Sequence, residues 1–224
     1  AIPKNIPEWG NLERLNKERD LVGIYLSAHP LDEYSIVLDY VCNTKLNQLE
    51  QKEELSKMEE VTVGGIVTAV RTGETKNGNP FGIVKMEDFA GTGEIPLFGT
   101  DWVTYRNFFV EGTSLFIRLK VEPHKYRPGI FNINIKSIEL MSEVKDKSIH
   151  KITFDAPLDK LTSTMVEDLA EIVKENPGEA DLIFNIHTSD SNKVSLMSRK
   201  VKVKVEKQLV QYIKENEDIE IKVN

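Results

Sequence analysis

The sequence predicts a small β-barrel, preceded by a short helical segment and followed by a compact α/β domain. Three observations carry that prediction. The chain turns to β-branched, alternating residues at Val61; one short helical insert interrupts five such runs; and after Met141 strands begin to alternate with amphipathic helices.

The opening "AIPKNIPEWG" has two prolines and no periodicity, and reads as a linker. Spacing of Leu12, Leu15, Val22 and Tyr25 predicts a helix over about 11–25, and "SAHP" breaks it. Pro30 then opens a second helix carrying Leu31, Tyr34, Leu38 and Val41. "NQLEQKEELSKMEE" reads as a charged, solvated connector, so residues 1–60 form a linker and helical segment.

Residues 61–141 supply the barrel. "VTVGGIVTAV" is a first strand whose paired glycines suggest a bulge or bend. "FGIVKMEDF" and "TGEIPLF", joined by "AGTG", make a hairpin. "DWVTYRNFF" is a short helix with Asp101 at its expected N-cap. "TSLFIRLKVEP" and "GIFNINIKSIELM" are the fourth and fifth strands, separated by "HKYRPG". Three strands, a helix and two strands is the order of an OB-fold, a five-stranded Greek-key barrel that binds oligonucleotides or oligosaccharides between its first and last hairpin loops.

"SEVKDKS" reads as a polar linker, and residues 149–224 as a C-terminal α+β domain. "IHKITF" is a strand, followed by a helix with Thr164 and Glu167 spaced as a capping box and "NPG" as its stop. "ADLIFNIHT" and "KVSLMS" form a hairpin, "VEKQLVQYIKEN" an amphipathic helix, and "DIEIKVN" a last strand. The order βαββαβ matches a split βαβ arrangement.

The 224 residues, 40% hydrophobic and 29% charged, suit a soluble chain of two domains. No apolar run spans a bilayer, and the first residues lack a signal-peptide pattern. The single cysteine, Cys42, excludes an internal disulfide and fits a reducing cytoplasm; in its apolar stretch it reads as a core residue. Net charge is −7, unevenly spread. Residues 1–60 hold 7 basic and 12 acidic side chains, 61–141 hold 9 and 8, and 142–224 hold 13 and 16. If any part meets phosphate, it is the middle one.

The loop "GETKNGNP" carries glycines and Lys76, but no G-K-[ST] ending, and a strand follows where a phosphate-binding loop needs a helix. Between the first two barrel strands it reads instead as one wall of a groove. Alternation puts Gly82, Val84 and Met86 toward the core and Phe81, Ile83 and Lys85 outward. Phe81 then reads equally as a stacking platform or as a side chain packed under the loop. With Arg71 on the first strand and Lys125, Tyr126 and Arg127 in the last hairpin loop, these residues pair aromatic faces with cations, the chemistry of single-strand binding. The four histidines lack ligand spacing, Glu87 and Asp88 face opposite sides of a strand, and no G-x-S-x-G elbow exists. No cofactor, metal or catalytic residue is expected. Trp9 and Trp102 read as packing residues.

"ERDLVGIYLSAHPLDEY", residues 18–34, resembles the C-terminal region of the alpha subunit of bacterial polymerase III, the C-family replicative polymerase. The likeness continues through "VGGIVTAVRTGETKNGNPFGIVKMEDFAGTGEIPLFGTDWVTY" and reaches "DIEIKVN", which reads as a natural C-terminus. The resemblance implies that the barrel binds single-stranded template weakly, and that 149–224 docks the clamp-loader tau subunit. It also implies a longer parent chain, a DNA-directed DNA polymerase (a nucleotidyltransferase) acting in DNA replication in the cytoplasm. The palm aspartates, the nuclease domain and the Q-x-x-[LM]-F clamp motif are missing from these 224 residues, so the piece itself is expected to be non-catalytic. One alternative stays open, a docking scaffold whose barrel touches no DNA; the missing synthetase motifs and the 18–34 likeness argue against an anticodon-type OB module.

Overall fold

A computed structural model describes residues 29–224, except 189–191, 217 and 224, together with Lys17 and Leu21. The expected helix over 11–25, the linker before it, Trp9 and most of the 18–34 motif lie outside the described residues.

Five antiparallel strands form the first sheet: β1 (Val61–Glu74), β2 (Pro80–Asp88), β3 (Gly91–Phe98), β4 (Ser114–Pro123) and β5 (Phe131–Leu140), in the order β3-β2-β1-β4-β5. β1 is long enough to serve two partners. Its first half pairs with β4, from Val61↔Leu119 to Ile66↔Ser114, and its second half with β2, ending at Glu74↔Pro80. A strand shared in this way must curl, and β3 and β5 meet to close the barrel. This is the OB-fold topology that the element order predicts.

The bulge in β1 falls between Val67 and Ala69, not at Gly64 and Gly65. Those glycines serve close packing instead, since a Cβ on Gly64 would strike the Met141 side chain and one on Gly65 would lie 2.6 Å from Leu46 Cδ1. Alternation along β2 is as predicted: Gly82, Val84 and Met86 are buried, while Lys85 is exposed.

Both barrel ends are stoppered. Between β3 and β4, α2 (Thr100–Tyr105) lays Trp102 on Gly82, where any Cβ would collide with the indole, and the ring stacks on Phe109 at 6.4 Å. The residue before this helix is Gly99, with Asp101 in the first turn, so the aspartate is not the N-cap. The other stopper corrects the charged-connector reading. Residues Leu46–Glu50 form a 3₁₀ turn, followed by α1 (Lys52–Leu55), and Leu46, Leu49 and Leu55 are buried in the barrel core. Three leucines among many charges are too few to show a helical period, yet they suffice to cap an open barrel end. Asp88 anchors the stopper: its buried carboxylate accepts from Leu46 N at 2.8 Å, from Ala90 N at 2.8 Å and from Gly91 N at 3.0 Å.

The segment after Pro30 is helical but irregular, a 3₁₀ turn at Asp32–Tyr34 running into a π-helix at Val37–Val41. Leu31, Val37 and Leu38 pack with Ile66 and Phe116 outside the barrel, while Ile36 joins the C-terminal core. The same cluster contains Met141 and Val144, because "SEVKDKS" is not a free linker but part of α3 (Met141–Ser148). Cys42 packs against this cluster, and burial pushes its thiol up to about 12, as befits an inert core residue.

The second sheet has the order β8-β7-β6-β9: β6 (Lys151–Pro157), β7 (Pro177–His187), β8 (Lys193–Val203) and β9 (Glu220–Val223). α4 (Ser163–Glu175) and α5 (Lys207–Glu215) pack on one face through Leu169, Ile172, Val173, Leu209 and Ile213. The expected βαββαβ order holds, but the βαβ unit is not split. β6 and β7 pair directly and in parallel, from Lys151↔Asp181 to Pro157↔His187. With that edge of β7 taken, β8 folds back on the other. The helix cap also moves: Thr162, two residues before Thr164, accepts from Met165 N at 3.1 Å.

On the helix-free face Asp155 is 6% exposed and fully engaged. Lys222 Nζ donates to it at 2.9 Å, His187 Nε2 at 2.7 Å and Asn185 Nδ2 at 3.3 Å, and Lys193 stands 3.7 Å away. Burial raises its pKa, but these donors outweigh burial and hold the carboxyl well below the usual range.

Candidate nucleic-acid interface

The outer face of β1–β2–β3 is built by register. Gly73, Phe81 and Phe98 form one cross-strand row; Arg71, Ile83 and Pro96 form the next; Ala69, Lys85 and Glu94 form the third. Period-2 alternation therefore brings Arg71, Phe81 and Lys85 onto one surface. Phe81 lies flat on Gly73, half-buried, and its ring meets Phe98 at 6.0 Å. Phe98 is the more accessible of the two, 56% exposed. It was not among the candidates read from the sequence, although the alternation that buries Leu97 turns Phe98 outward.

Charge on this face is compensated. Arg71 Nη2 reaches diagonally over β2 to Glu94 Oε1 at 3.0 Å, and Lys85 lies directly opposite Glu94 in the ladder. Lys76 stands at the tip of the β1–β2 loop. That loop is closed by Gly78 N donating to Thr75 O and Thr75 N donating to Asn79 O, both at 2.8 Å, and leaves the lysine exposed.

Lys125, Tyr126 and Arg127 lie elsewhere, in the β4–β5 loop. Because β4 pairs with the first half of β1 and β2 with the second, the two loops extend from opposite ends of β1. No hydrogen bond, ion pair or ring contact joins them among the described residues. Within the loop, Tyr126 N donates to His124 Nδ1 at 3.1 Å, and Lys125 Nζ sits 5.5 Å from the Tyr126 ring, which is 78% exposed. The structure thus holds two aromatic–cation sets: Phe81, Phe98, Arg71 and Lys85 on the sheet, and Lys125, Tyr126 and Arg127 on the loop. Among the described residues, no group of histidine, cysteine and carboxylate side chains could hold a metal ion, and no helix is long and apolar enough to cross a membrane.

The described residues thus form a closed OB barrel with an aromatic, cation-bearing outer face, followed by a βαββαβ domain. Residues 152–224 match the family described as DNA polymerase III alpha subunit, C-terminal domain. The DNA polymerase III alpha subunit of Borreliella burgdorferi is 28% identical over 183 residues, 79% of this chain and 15% of that protein. Its counterpart from Saccharopolyspora erythraea is 23% identical over 172 residues, 76% of this chain and 14% of that protein. Among solved structures, the mitochondrial single-stranded DNA binding protein Rim1 of S. cerevisiae covers 36% of this chain and 91% of its own, at 12% identity and a TM-score of 0.29. The present chain is thus similar to the C-terminal region of the DNA polymerase III alpha subunit, with its residues 152–224 matching that region's final domain. It spans about one seventh of the length of the curated relatives it matches.

Proposed function

We propose that this chain is a non-catalytic region of a bacterial replicative DNA polymerase. Its barrel holds single-stranded template weakly, while residues 149–224 dock the clamp-loader tau subunit in the cytoplasm during replication. The remainder of the polymerase chain supplies catalysis. The observation that carries the DNA reading is the Phe81–Phe98 pair flanked by Arg71 and Lys85 on one barrel face. Base–aromatic stacking tolerates any sequence, and cations beside it follow the phosphate backbone. Lys76 and the Lys125–Tyr126–Arg127 loop extend the same chemistry past both ends of β1. Few cations and a net charge of −7 imply modest affinity, useful where a larger assembly already holds the template.

The test is fluorescence anisotropy with a labelled single strand at two salt concentrations. Wild-type binding falls with salt, and a Lys76, Lys125, Arg127 triple alanine binds more weakly with a shallower slope. Equal binding at low salt rejects the role of the loops. A docking scaffold without DNA contact is the second reading; the occupation of Arg71 by Glu94 favours it. Loss of tau capture on deleting 149–224 supports the docking half of the proposal, and unchanged capture rejects it.

A further inference from the structure

The β7–β8 hairpin outruns its cover. Each strand has 11 residues, but their ladder slips between Pro177 and Ala180 and between Asp181 and Ile183. α4 and α5, of 13 and 9 residues, leave Leu196 and Val201 of β8 exposed. Two such helices leave part of the hairpin's helix-side face bare. A cavity of 960 Å³ opens there, floored by Phe154 and Phe184, which stack at 5.3 Å, and walled by Met165 and Val166 of α4 and by Leu196 of β8. Val166 is 57% exposed and Leu196 is 51% exposed, at positions where the pattern of this sheet and helix asks for burial.

The charged side chains that line this groove have one sign. Its ionisable lining residues are Lys174, Lys200 and Lys202, with no carboxylate among them. Over residues 193–204 every charged side chain is basic: Lys193, Arg199, Lys200, Lys202 and Lys204. Lys202 is paired with Asp181 at 3.1 Å, but no ion pair engages Lys174, Arg199 or Lys200 among the described residues. This basic rim belongs to a stretch, 142–224, that is otherwise net acidic.

We infer that the groove receives an amphipathic helix of a partner protein, with apolar residues on one face and acidic residues flanking it. Such a helix completes the helical layer, its apolar face filling the space over Phe184 and Leu196 and its carboxylates meeting Lys174, Arg199 and Lys200. The inference rests on the docking reading above and deepens it by naming the surface and the chemistry of the occupant. It commits to a foreign helix, because a second copy would bring its own basic groove against this one.

Two probes test it on the full chain. The first is a fluorescent helical peptide with leucines at i, i+3, i+4 and i+7 and glutamates elsewhere, beside a control with lysines replacing the glutamates. The acidic peptide binds the wild type at least tenfold tighter than the basic one, and Val166→Glu and Leu196→Glu each weaken it at least tenfold. The Arg199→Glu/Lys200→Glu pair, which alters only exposed side chains, reverses the preference between peptides. Equal binding of both peptides, or binding unmoved by these variants in chains whose circular dichroism is unchanged, overturns the inference. The second probe is the tau subunit. If deletion of 149–224 abolishes tau capture while the groove variants retain it, docking stands and the groove is wrong. If the deletion changes nothing, tau docking falls and the peptide result alone decides the groove. A shift of wild-type sedimentation to dimer that the groove variants abolish also overturns it, in favour of self-association.

Discussion

Arg71 on β1 and Glu94 on β3 meet at 3.0 Å across the intervening strand, closing an ion pair over the barrel face that would carry DNA. Both side chains are more than half exposed, so the pair contributes at most about 1 kcal/mol to stability. Its larger effect is electrostatic, since Glu94 occupies Arg71 and opposes Lys85. Glu94→Gln is expected to tighten single-strand binding about three- to tenfold at low salt. The slope of log affinity against log salt should steepen by about 0.7 for each further phosphate that a freed cation engages. Anisotropy titrations at low and at roughly physiological salt check this; unchanged affinity and slope would remove Arg71 and Lys85 from the interface.

Phe98 separates stacking from charge. A base stacked on an aromatic ring contributes roughly 1–3 kcal/mol, so Phe98→Ala should weaken binding by about five- to a hundredfold. The salt slope should stay as in the wild type, because no cation is removed. Phe98→Tyr, which keeps the ring, should bind like the wild type. A slope that changes in Phe98→Ala, or a binding constant that does not, contradicts stacking.

What the sequence revealed and what it hid divide along physical lines. The barrel was legible because period 2 is strict: one buried position, Val84 or Leu97, fixes every neighbour's face. The same rule reached Phe81 and Lys85, and along the third strand it also turns Phe98 outward beside the buried Leu97. The stopper was hidden because Leu46, Leu49 and Leu55 are buried by distant partners, not along a local period. Likewise nothing local distinguishes β6 beside β7 from β6 held apart from it by another strand. That choice is tertiary, and the order of elements is the same for both.

Asp88 joins the stopper to the barrel, and its removal should show it. Asp88→Ala leaves the backbone N–H groups of Leu46, Ala90 and Gly91 without their acceptor, the first of them at a buried residue. Hydrogen bonds to a charged group are worth about 1.5–3 kcal/mol, so a loss of about 3 kcal/mol is expected in chemical denaturation. Amide exchange at Leu46 should accelerate more than at Val84 in the barrel wall. Uniform acceleration at both positions would mean that the carboxylate stabilises the barrel as a whole and does not hold the stopper specifically.

Asp155 makes the C-terminal sheet sensitive to acid. Its carboxyl titrates lower in the folded chain than the ordinary value of about 3.9 expected when unfolded, because Lys222, His187, Asn185 and Lys193 favour the anion more than burial opposes it. The folded state therefore binds fewer protons than the unfolded state as pH falls through that range. The stability contributed by Asp155 is complete above about pH 5 and is lost progressively as pH drops below about 4 toward the folded value. Asp155→Asn removes the charge and should destabilise the chain by about 2 kcal/mol at neutral pH, the scale of a charged hydrogen bond whose partners Lys222 and His187 remain partly solvated. Urea denaturation of both proteins from about pH 7 to about pH 3 cancels the contributions of the other carboxylates in the difference. The gap between wild type and variant should be constant down to about pH 5 and narrow below about pH 4. A gap that is the same at the acid end as at neutral pH would show that the stability does not reside in the Asp155 charge.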